Sequence, residues 1–181
     1  MGGHPILTVG HSNRSLGEFT GLLLDVGVEA LVDVRRLPGS RKYPHFNDDV
    51  LAVELPARGV SYRREESLTG RRNVSRTIPF EVNGNWRNRS FHNYADHALS
   101  AEFGAALRGL VDAARHETTA IMCSEAVWWR CHRRIIADHL LAAGADVRHI
   151  MGPGQITQAT LTDGAVVGED AKVRYPQPGE P

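Results

Sequence analysis

The fold is decided by residues 118–144, TTAIMCSEAVWWRCHRRIIADHLLAAG, which join a strand pattern to a helix pattern. Residues 119–122 form a short apolar run of the kind that suits a strand covered on both faces, and Cys123 follows at its carboxyl end. Helical periodicity begins near Trp128, and Gly144 stands in the position of a helix stop. The segment therefore predicts strand, turn and helix, with its chemically capable side chains at the turn.

Both cysteines of the chain lie in this segment, and their positions predict different roles. Cys123 lies between a strand end and a helix N-terminus, where unpaired N–H groups and the nearby Arg130 and Arg133 favour a reactive thiolate. An ordinary buried strand cysteine is the alternative for it. Cys131 falls within the first helical turns, where an inert thiol packs well. We therefore expect Cys123, and not Cys131, to be the reactive thiol.

The same segment bears on metal binding. Cys131 and His132 are adjacent, so they would project in different directions from a helix, and the ligand spacings CxxC and HxxxH are absent. We expect no metal site and no cofactor. The helical plot puts His132 in the apolar stripe, which predicts a buried, hydrogen-bonded structural histidine. A disulfide between Cys123 and Cys131 stays open, because the sequence does not fix their separation.

Length and composition predict one domain and limit the classes of partner. A chain of 181 residues with 41% hydrophobic content is enough for one well-buried domain. The formal net charge is zero, which gives no general support for binding nucleic acid or an anionic membrane. The chain shows no secretory signal pattern, no stretch of transmembrane length and no disulfide framework. These features predict a cytoplasmic protein without a membrane partner, and they leave the oligomeric state undetermined.

Strand and helix patterns alternate along the chain. Strand patterns occupy residues 6–9, 30–34, 60–62, 119–122 and 145–150. Helix patterns begin after three N-cap residues, Ser15 (in capping-box spacing with Glu18), Asn47 before 48–58, and Ser100 before 101–115. Such alternation implies right-handed crossovers and parallel strands. The sequence predicts a single three-layer α/β domain over residues 1–150, with a mostly parallel five-stranded sheet flanked by helices, and a C-terminal tail, 151–181, that is partly ordered at most.

The least regular region is a long loop, residues 68–92, with five arginines and one acid. A long loop inside a compact domain is usually functional or disordered, and its aromatic residues favour order in its second half. We expect this loop near the functional edge of the sheet. Arginines beside Trp86, Phe91 and Tyr94 could hold phosphates and stack on bases. A non-catalytic nucleic-acid-associated module is therefore the alternative function.

Polar side chains follow three of the predicted strands. In a parallel sheet all carboxyl strand ends share one edge, where ligands bind, although each of these side chains could alone be a turn cap or a solvated group. We expect Cys123 to be nucleophile or redox centre, with Glu125 or His11 as its proton-transfer partner. The expected anion-binding residues are Ser12, Asn13, Arg14, Arg35, Ser40, Arg41, Arg130 and Arg133.

Four segments resemble a known family. GHSNRS (10–15), LVDVRRLPGSRK (31–42) followed by FN, FHNYAD (91–96), and MCSEA with WRCHRRIIADHL (122–126 and 129–140) look like the DUF488 family of uncharacterised bacterial proteins, in family order. The resemblance covers about residues 6–150 and implies a single compact α/β domain with no settled activity. The family-like residues are His11, Ser12, Arg14, Asp33, Arg35, Pro38, Ser40, Phe46, Asn47, Tyr94, Cys123, Glu125, Cys131, His132 and Arg133.

A looser similarity links the chain to rhodanese-like sulfurtransferases. It rests on Asp33-Val34-Arg35 and on Cys123, which would correspond to the persulfide-carrying residue. Rhodanese-like and cysteine-phosphatase loops place a helix arginine at a fixed short spacing from the cysteine, whereas here six residues, two of them tryptophans, separate Cys123 from Arg130. This departure counts against sulfur transfer and phosphatase action. The function expected is a cysteine-based transferase or hydrolase acting on a small anionic or nucleotide-like substrate.

Overall fold

The computed structural model describes residues 2–179. Its strands are β1 (Ile6–Gly10), β2 (Ala30–Asp33), β3 (Ser61–Arg64), β4 (Thr119–Cys123), β5 (Val147–Gly152), β6 (Gln155–Gln158), β7 (Val166–Val167) and β8 (Val173–Arg174). Its α-helices are α1 (Leu16–Asp25), α2 (Asp48–Glu54), α3 (Arg89–His97), α4 (Ala101–Ala113) and α5 (Arg133–Ala142). Within this part of the chain, no helix is long and apolar enough to cross a membrane.

Six strands form one sheet in the order β3-β2-β4-β1-β5-β6. The five predicted strands are all present and parallel, and β6 adds an antiparallel edge. The register aligns Gly10 of β1 with Cys123 of β4, and Asp33 of β2 with Met122. The carboxyl ends of the three central strands therefore meet at one edge, as the α/β prediction requires.

Two apolar layers cover the sheet, which makes the domain three-layered. One layer packs α1 and α2 on the sheet through Phe19, Leu23 and Leu51. The opposite layer packs α3, α4 and α5, with Phe103 and Ile135 fully buried. Burial of each such side chain contributes about 1.5–3 kcal/mol, so the parallel sheet is stabilised from both faces.

Local capping signals in the sequence are partly confirmed. Ser15 accepts a hydrogen bond from the N–H of Glu18 at 3.0 Å, and Ser100 accepts one from Phe103 at 3.2 Å, as their N-cap positions predict. Asn47 also precedes its helix, but its side chain accepts from the Ser40 N–H at 2.8 Å instead of capping α2. The Asn47 side chain therefore holds the loop after β2.

The turn after β4 differs from the prediction. A 3₁₀ turn covers Trp128–Arg130, Cys131 is extended (φ −130°, ψ 150°), and α5 begins only at Arg133. Long-range packing explains the break: the Trp128 ring stacks on the His149 ring at 4.4 Å. Cys131 is consequently not a helical residue, and it lies just before the N-terminus of α5.

Two regions that the sequence leaves irregular contain regular structure. The excursion 68–92 includes a 3₁₀ turn at Phe80–Asn83 and the start of α3, which Asn88 caps through a 3.2 Å bond from the N–H of Phe91. Beyond residue 150, β6 joins the sheet and the Tyr175 hydroxyl donates to Asp138 at 2.6 Å. Part of the segment 151–181 therefore packs on the main domain.

Candidate functional site

A cavity of about 380 Å³ opens at the carboxyl ends of β2 and β4. Its walls carry four arginines, Arg35, Arg36, Arg71 and Arg130. The other lining residues are Leu37, Gly70, Asn88, Ser90, Phe91, Tyr94, Cys123, Ser124, Glu125, Cys131 and His132. The cavity therefore combines cationic walls with both thiols of the chain, beneath parts of the excursion 68–92.

Three side chains converge in the cavity. The sulfur atoms of Cys123 and Cys131 and a ring nitrogen of His132 all lie within 4.8 Å of one another. The Cys131 sulfur is 3.6 Å from His132 Nδ1, and His132 Nε2 is 3.0 Å from the Val34 carbonyl oxygen. Since a carbonyl only accepts, Nε2 carries the proton and Nδ1 faces the thiol with a lone pair. Cys131 and His132 thus form a thiol–imidazole pair.

His132 combines the predicted hydrogen bond with an unpredicted exposure. The expectation was a buried structural histidine, yet the ring is only half-buried and lines the cavity. Gly70 packs against it so closely that a Cβ at residue 70 would meet Nδ1 at 2.9 Å. Glycine at position 70 therefore leaves room for the imidazole, and the bond to Val34 fixes its orientation toward the sulfur.

Arg133 supplies the positive charge at the Cys131 sulfur. Its backbone N–H and its Nε donate to Cys131 Sγ at 3.5 and 3.4 Å, Nη1 donates to Thr8 at 3.3 Å, and Nη2 donates to the Glu125 carbonyl. The side chain is 1% exposed. Arg133 was expected to bind a substrate anion from the solvated face of a helix, but its donors are used inside the protein.

The two thiols have opposite acid–base character, which reverses the sequence-based expectation. Burial opposes ionisation of Cys131, but a hydrogen bond from the Cys123 thiol and the charge and N–H groups of Arg133 lower its pKa to about 6. The hydrogen bond to Cys131, together with burial, raises the pKa of Cys123 to about 12. The helix N-terminus that was expected to activate Cys123 lies at Cys131 instead.

His11 does not reach the cavity. Its Nδ1 is 2.9 Å from the Ser12 carbonyl, its Nε2 is 3.3 Å from Arg35 Nη1, and its ring stacks on Phe46 at 4.4 Å. Burial lowers the pKa of His11 to about 4, so the ring is neutral near pH 7. The side chain expected to exchange protons with Cys123 instead supports Arg35.

The other expected residues divide between the cavity and the surrounding loops. Arg14 donates to the carbonyls of Gly10 and Met151, and the Ser40 hydroxyl accepts from the N–H groups of Lys42 and Tyr43. The expected residues that do not line the cavity are His11, Ser12, Asn13, Arg14, Ser40, Arg41 and Arg133. Those that do are Arg35, Cys123, Glu125 and Arg130. Of the expected residues, only those in the loops after β2 and β4 therefore converge in the cavity.

Arg35 is only partly available to a ligand. It is 5% exposed, and its guanidinium makes two bonds to the Asp33 carboxylate, at 2.9 and 2.7 Å. The Tyr62 hydroxyl donates to the same carboxylate at 2.6 Å. The exposed arginines of the cavity, Arg36, Arg71 and Arg130, are better placed to meet an anion. Arg36 was expected among the polar residues after the second strand but not in the anion-binding set, and the arginine-rich composition of the excursion was a signal for Arg71.

The cluster also has donor atoms that a metal ion could use. Two sulfurs and one imidazole nitrogen suit a soft divalent ion, and the premise that Cys131 and His132 project apart is wrong. The electrostatics of the cavity oppose a cation, however. Cys131 Sγ already accepts from Arg133, and four more guanidinium groups line the walls. The surroundings favour a thiolate or a bound anion over a divalent metal ion.

Comparison with known proteins places the chain in a family. The family profile described as "Domain of unknown function DUF488" matches residues 15–140. The chain belongs to the DUF488 family. No curated protein and no solved structure matches it. The matched segment of this DUF488 protein contains Cys123, Cys131, His132 and Arg133, so the family assignment covers the cluster and, by its own description, assigns it no activity.

Proposed function

We propose that this DUF488 protein is a cysteine-dependent transferase or hydrolase that acts on a small anionic substrate, with Cys131 as its nucleophile. The observation that carries the proposal is the position of Cys131 Sγ, 3.6 Å from His132 Nδ1 and 3.4 Å from Arg133 Nε, in a cavity lined by arginines. A nucleophilic cysteine needs a nearby base or positive charge, and Cys131 has both.

The reaction begins with transfer of the Cys131 proton to His132 Nδ1. The Val34 carbonyl keeps the proton on Nε2, so the lone pair of Nδ1 stays directed at the thiol. Arg133 stabilises the thiolate, which attacks the electrophilic atom of the substrate and forms a covalent adduct. His132 then returns its proton to the leaving group. In a second step it takes a proton from water or from an acceptor, which attacks the adduct and releases it from Cys131, so that the thiolate is restored.

The arginines Arg36, Arg71 and Arg130 select the charge of the substrate. Guanidinium groups bind carboxylate or phosphate oxygens through paired N–H donors, and those of this cavity converge from three separate parts of the chain. A volume of about 380 Å³ is at the small end of ligand cavities. Both features favour a compact anion, in agreement with the expectation from sequence.

The alternative, a nucleic-acid-associated module, has weaker support. It requires aromatic faces that are free to stack on bases. Trp86 instead packs against Phe91 and Tyr175, both at 5.1 Å, and Arg134 lies over its ring. Tyr94 is fully buried and donates to the Leu68 carbonyl at 2.7 Å. Trp86 and Tyr94 therefore serve the core and are not free to stack on bases.

Alkylation with a charged and a neutral reagent tests the proposal. Native protein is treated with iodoacetate and with iodoacetamide over a pH series, and the modified cysteine is identified by peptide mass analysis. We expect Cys131 to react with an apparent pKa of about 6, and to prefer iodoacetate more strongly than the unfolded chain does. The rate should rise with pH and level off above about pH 7, because the thiolate is then fully formed.

Variants separate the two thiols in this experiment. Cys123→Ser is expected to keep the rapid labelling, and Cys131→Ser to lose it. Preferential labelling of Cys123, or no labelling of either thiol before unfolding, would contradict the proposal. Loss of the preference for iodoacetate alone would leave a nucleophile but remove the anionic substrate.

A further inference from the structure

Cys123 has no part in the reaction proposed above, yet its sulfur faces the nucleophile. The two sulfurs lie within 4.8 Å of each other and line the same cavity. Cys123 closes β4, and its carbonyl accepts from the His11 N–H at 3.0 Å, so its backbone is fixed to the sheet. Cys131 lies between a 3₁₀ turn and α5, outside both elements. A thiol held beside a nucleophilic cysteine is the arrangement of a dithiol redox pair.

We propose that Cys131 and Cys123 reduce a small anionic disulfide, with Cys131 as the attacking thiol and Cys123 as the resolving thiol. This inference rests on the proposed function, because it takes Cys131 as the nucleophile, and it names the class of substrate. The substrate is a compound R–S–S–R whose R groups carry carboxylate or phosphate.

The chemistry consists of two exchange steps. In the first, the Cys131 thiolate attacks one sulfur of the substrate, the S–S bond of the substrate breaks, and one R–S⁻ leaves with the electron pair and takes from His132 Nδ1 the proton that Cys131 had given it. In the second, Cys123 loses its proton to His132 Nδ1 and attacks Cys131 Sγ, which expels the second R–S⁻, and this thiolate in turn takes the proton from His132. The substrate gains two electrons and two protons and becomes two thiols, and the protein dithiol is oxidised to a disulfide. Two molecules of a small thiol restore the dithiol by the same kind of exchange and are themselves oxidised to a disulfide.

The surroundings of the two sulfurs assign the order of attack. Only Cys131 accepts N–H donors from Arg133, so it forms the first thiolate. The neighbouring Cys131, together with burial, raises the pKa of the Cys123 thiol, so Cys123 stays protonated while Cys131 is the thiolate. Once Cys131 is bound in a mixed disulfide, the base that remains is His132, which has a ring nitrogen within 4.8 Å of both sulfurs.

Closure of the protein disulfide requires a small movement. An S–S bond is about 2.05 Å long, so the sulfurs must approach by no more than about 3 Å from their present limit. Rotation of the Cys131 side chain in its non-helical backbone supplies movement of this size, while β4 holds Cys123. The walls decide the rest of the specificity, since the exposed Arg36, Arg71 and Arg130 favour negative R groups and a cavity of about 380 Å³ favours small ones.

The test uses full-length protein, treated with a chelator, and 5,5′-dithiobis(2-nitrobenzoate), a dianionic disulfide that releases a coloured thiolate. We expect native wild-type protein to release two equivalents and to end with two hydrogen masses fewer, which marks an internal disulfide. Cys123→Ser should release one equivalent and keep a stable adduct on Cys131. Cys131→Ser should react at least tenfold more slowly. Cystamine, a dicationic disulfide, is the comparison, and the rate ratio of the dianion to cystamine should be larger for the native wild type than for the unfolded chain, whose ratio reports the intrinsic reactivity of the two disulfides.

The outcomes separate the inference from the proposed function. If wild-type protein releases one equivalent and keeps the adduct on Cys131, the redox pair is wrong while the nucleophile stands. If the rate ratio of the dianion to cystamine is no larger for the native protein than for the unfolded chain, the anionic substrate class is wrong. If Cys131 neither exchanges with the disulfide nor alkylates in the native state, both proposals fall. Two equivalents with adducts on both cysteines would also overturn the resolving role of Cys123.

Discussion

Two polar clusters lie at the same edge of the sheet, and they differ in the acceptor atoms that their buried arginines bind. The His11 network consists of His11, Asp33, Arg35 and Tyr62, and its guanidinium is bound by a carboxylate and an imidazole. The Cys131 cluster consists of Cys123, Cys131, His132 and Arg133, and its guanidinium points at a sulfur. Both clusters have a buried arginine and a histidine. Residue types alone therefore do not distinguish a structural network from a candidate reactive site.

The difference lies in the strength of the acceptors. A carboxylate is a strong acceptor that neutralises Arg35, whereas a thiol is a weak one and leaves the field of Arg133 largely uncompensated until it ionises. The Cys123 thiol and that field together lower the pKa of Cys131, whereas burial of the neutral His11 ring only removes it from proton exchange near pH 7. A buried arginine that donates to a thiol is therefore a better sign of a reactive site than a buried arginine that donates to a carboxylate.

The largest effect is expected from Asp33→Asn in the His11 network. The substitution leaves the Arg35 charge buried without its partner, and removal of one member of a buried pair costs about 3–5 kcal/mol of unfolding free energy. The thiol of the folded variant should keep its alkylation pKa of about 6. Urea unfolding and the alkylation series measure the two quantities. Glu54→Gln, which breaks the exposed pair with Arg58, is the control and should cost at most about 1 kcal/mol.

A stability loss for Asp33→Asn no larger than that of Glu54→Gln would contradict the description of the His11 network as structural. A shift of the Cys131 pKa in the same variant would show that the two clusters act as one site.

An intermediate effect is expected from Arg133→Met in the Cys131 cluster. Loss of the charge and of the Nε donor should raise the pKa of Cys131 toward the ordinary value near 8.5, so alkylation at about pH 7 should slow by about tenfold or more. Arg14→Met is the matched control from the first turn of the same edge, because its donors meet only the carbonyls of Gly10 and Met151. It should leave the thiol pKa unchanged, and an equal slowing in both variants would remove the special role of Arg133.

The smallest effect is expected from single alanine substitutions at Arg36 and Arg71. Both side chains are exposed, so stability should change by no more than about 0.5 kcal/mol. Each should reduce the preference of Cys131 for iodoacetate over iodoacetamide by a few-fold, because one of the cationic walls is lost. Arg41→Ala, an exposed arginine of the same edge that does not line the cavity, is the control. A similar reduction in Arg41→Ala would show a general surface effect in place of a binding wall.

Local patterns in the sequence were sufficient for the sheet and for two helix starts. The central strands β1, β2 and β4 are buried along their whole length, and Ser15 and Ser100 cap helices within three residues of themselves. The start of α5 could not be predicted in this way. Its position depends on the packing of Trp128 against His149, which is distant in sequence, and on the donors of Arg133 that meet Thr8 and the Glu125 carbonyl.

The assignment of the reactive thiol depended on that helix start. With α5 placed near Trp128, Cys123 received the helix N-terminus and Cys131 became a packing residue. With α5 beginning at Arg133, the relation is reversed, and the adjacent Cys131 and His132 face each other at 3.6 Å. A shift of about one helical turn therefore changed which sulfur is expected to react, while both assignments place the candidate site at the end of β4.

The closeness of β1 to the turn after β4 depends on a residue without a side chain. A Cβ at Gly10 would lie 1.7 Å from the Glu125 carbonyl oxygen, so only glycine lets that oxygen rest against the strand. The same oxygen receives Arg133 Nη2, and Arg133 in turn donates to the Cys131 sulfur. Because residue 10 has no side chain, the Glu125 carbonyl lies where it can hold Arg133 beside the Cys131 sulfur. The acidity of Cys131 therefore depends on a glycine in the central strand β1.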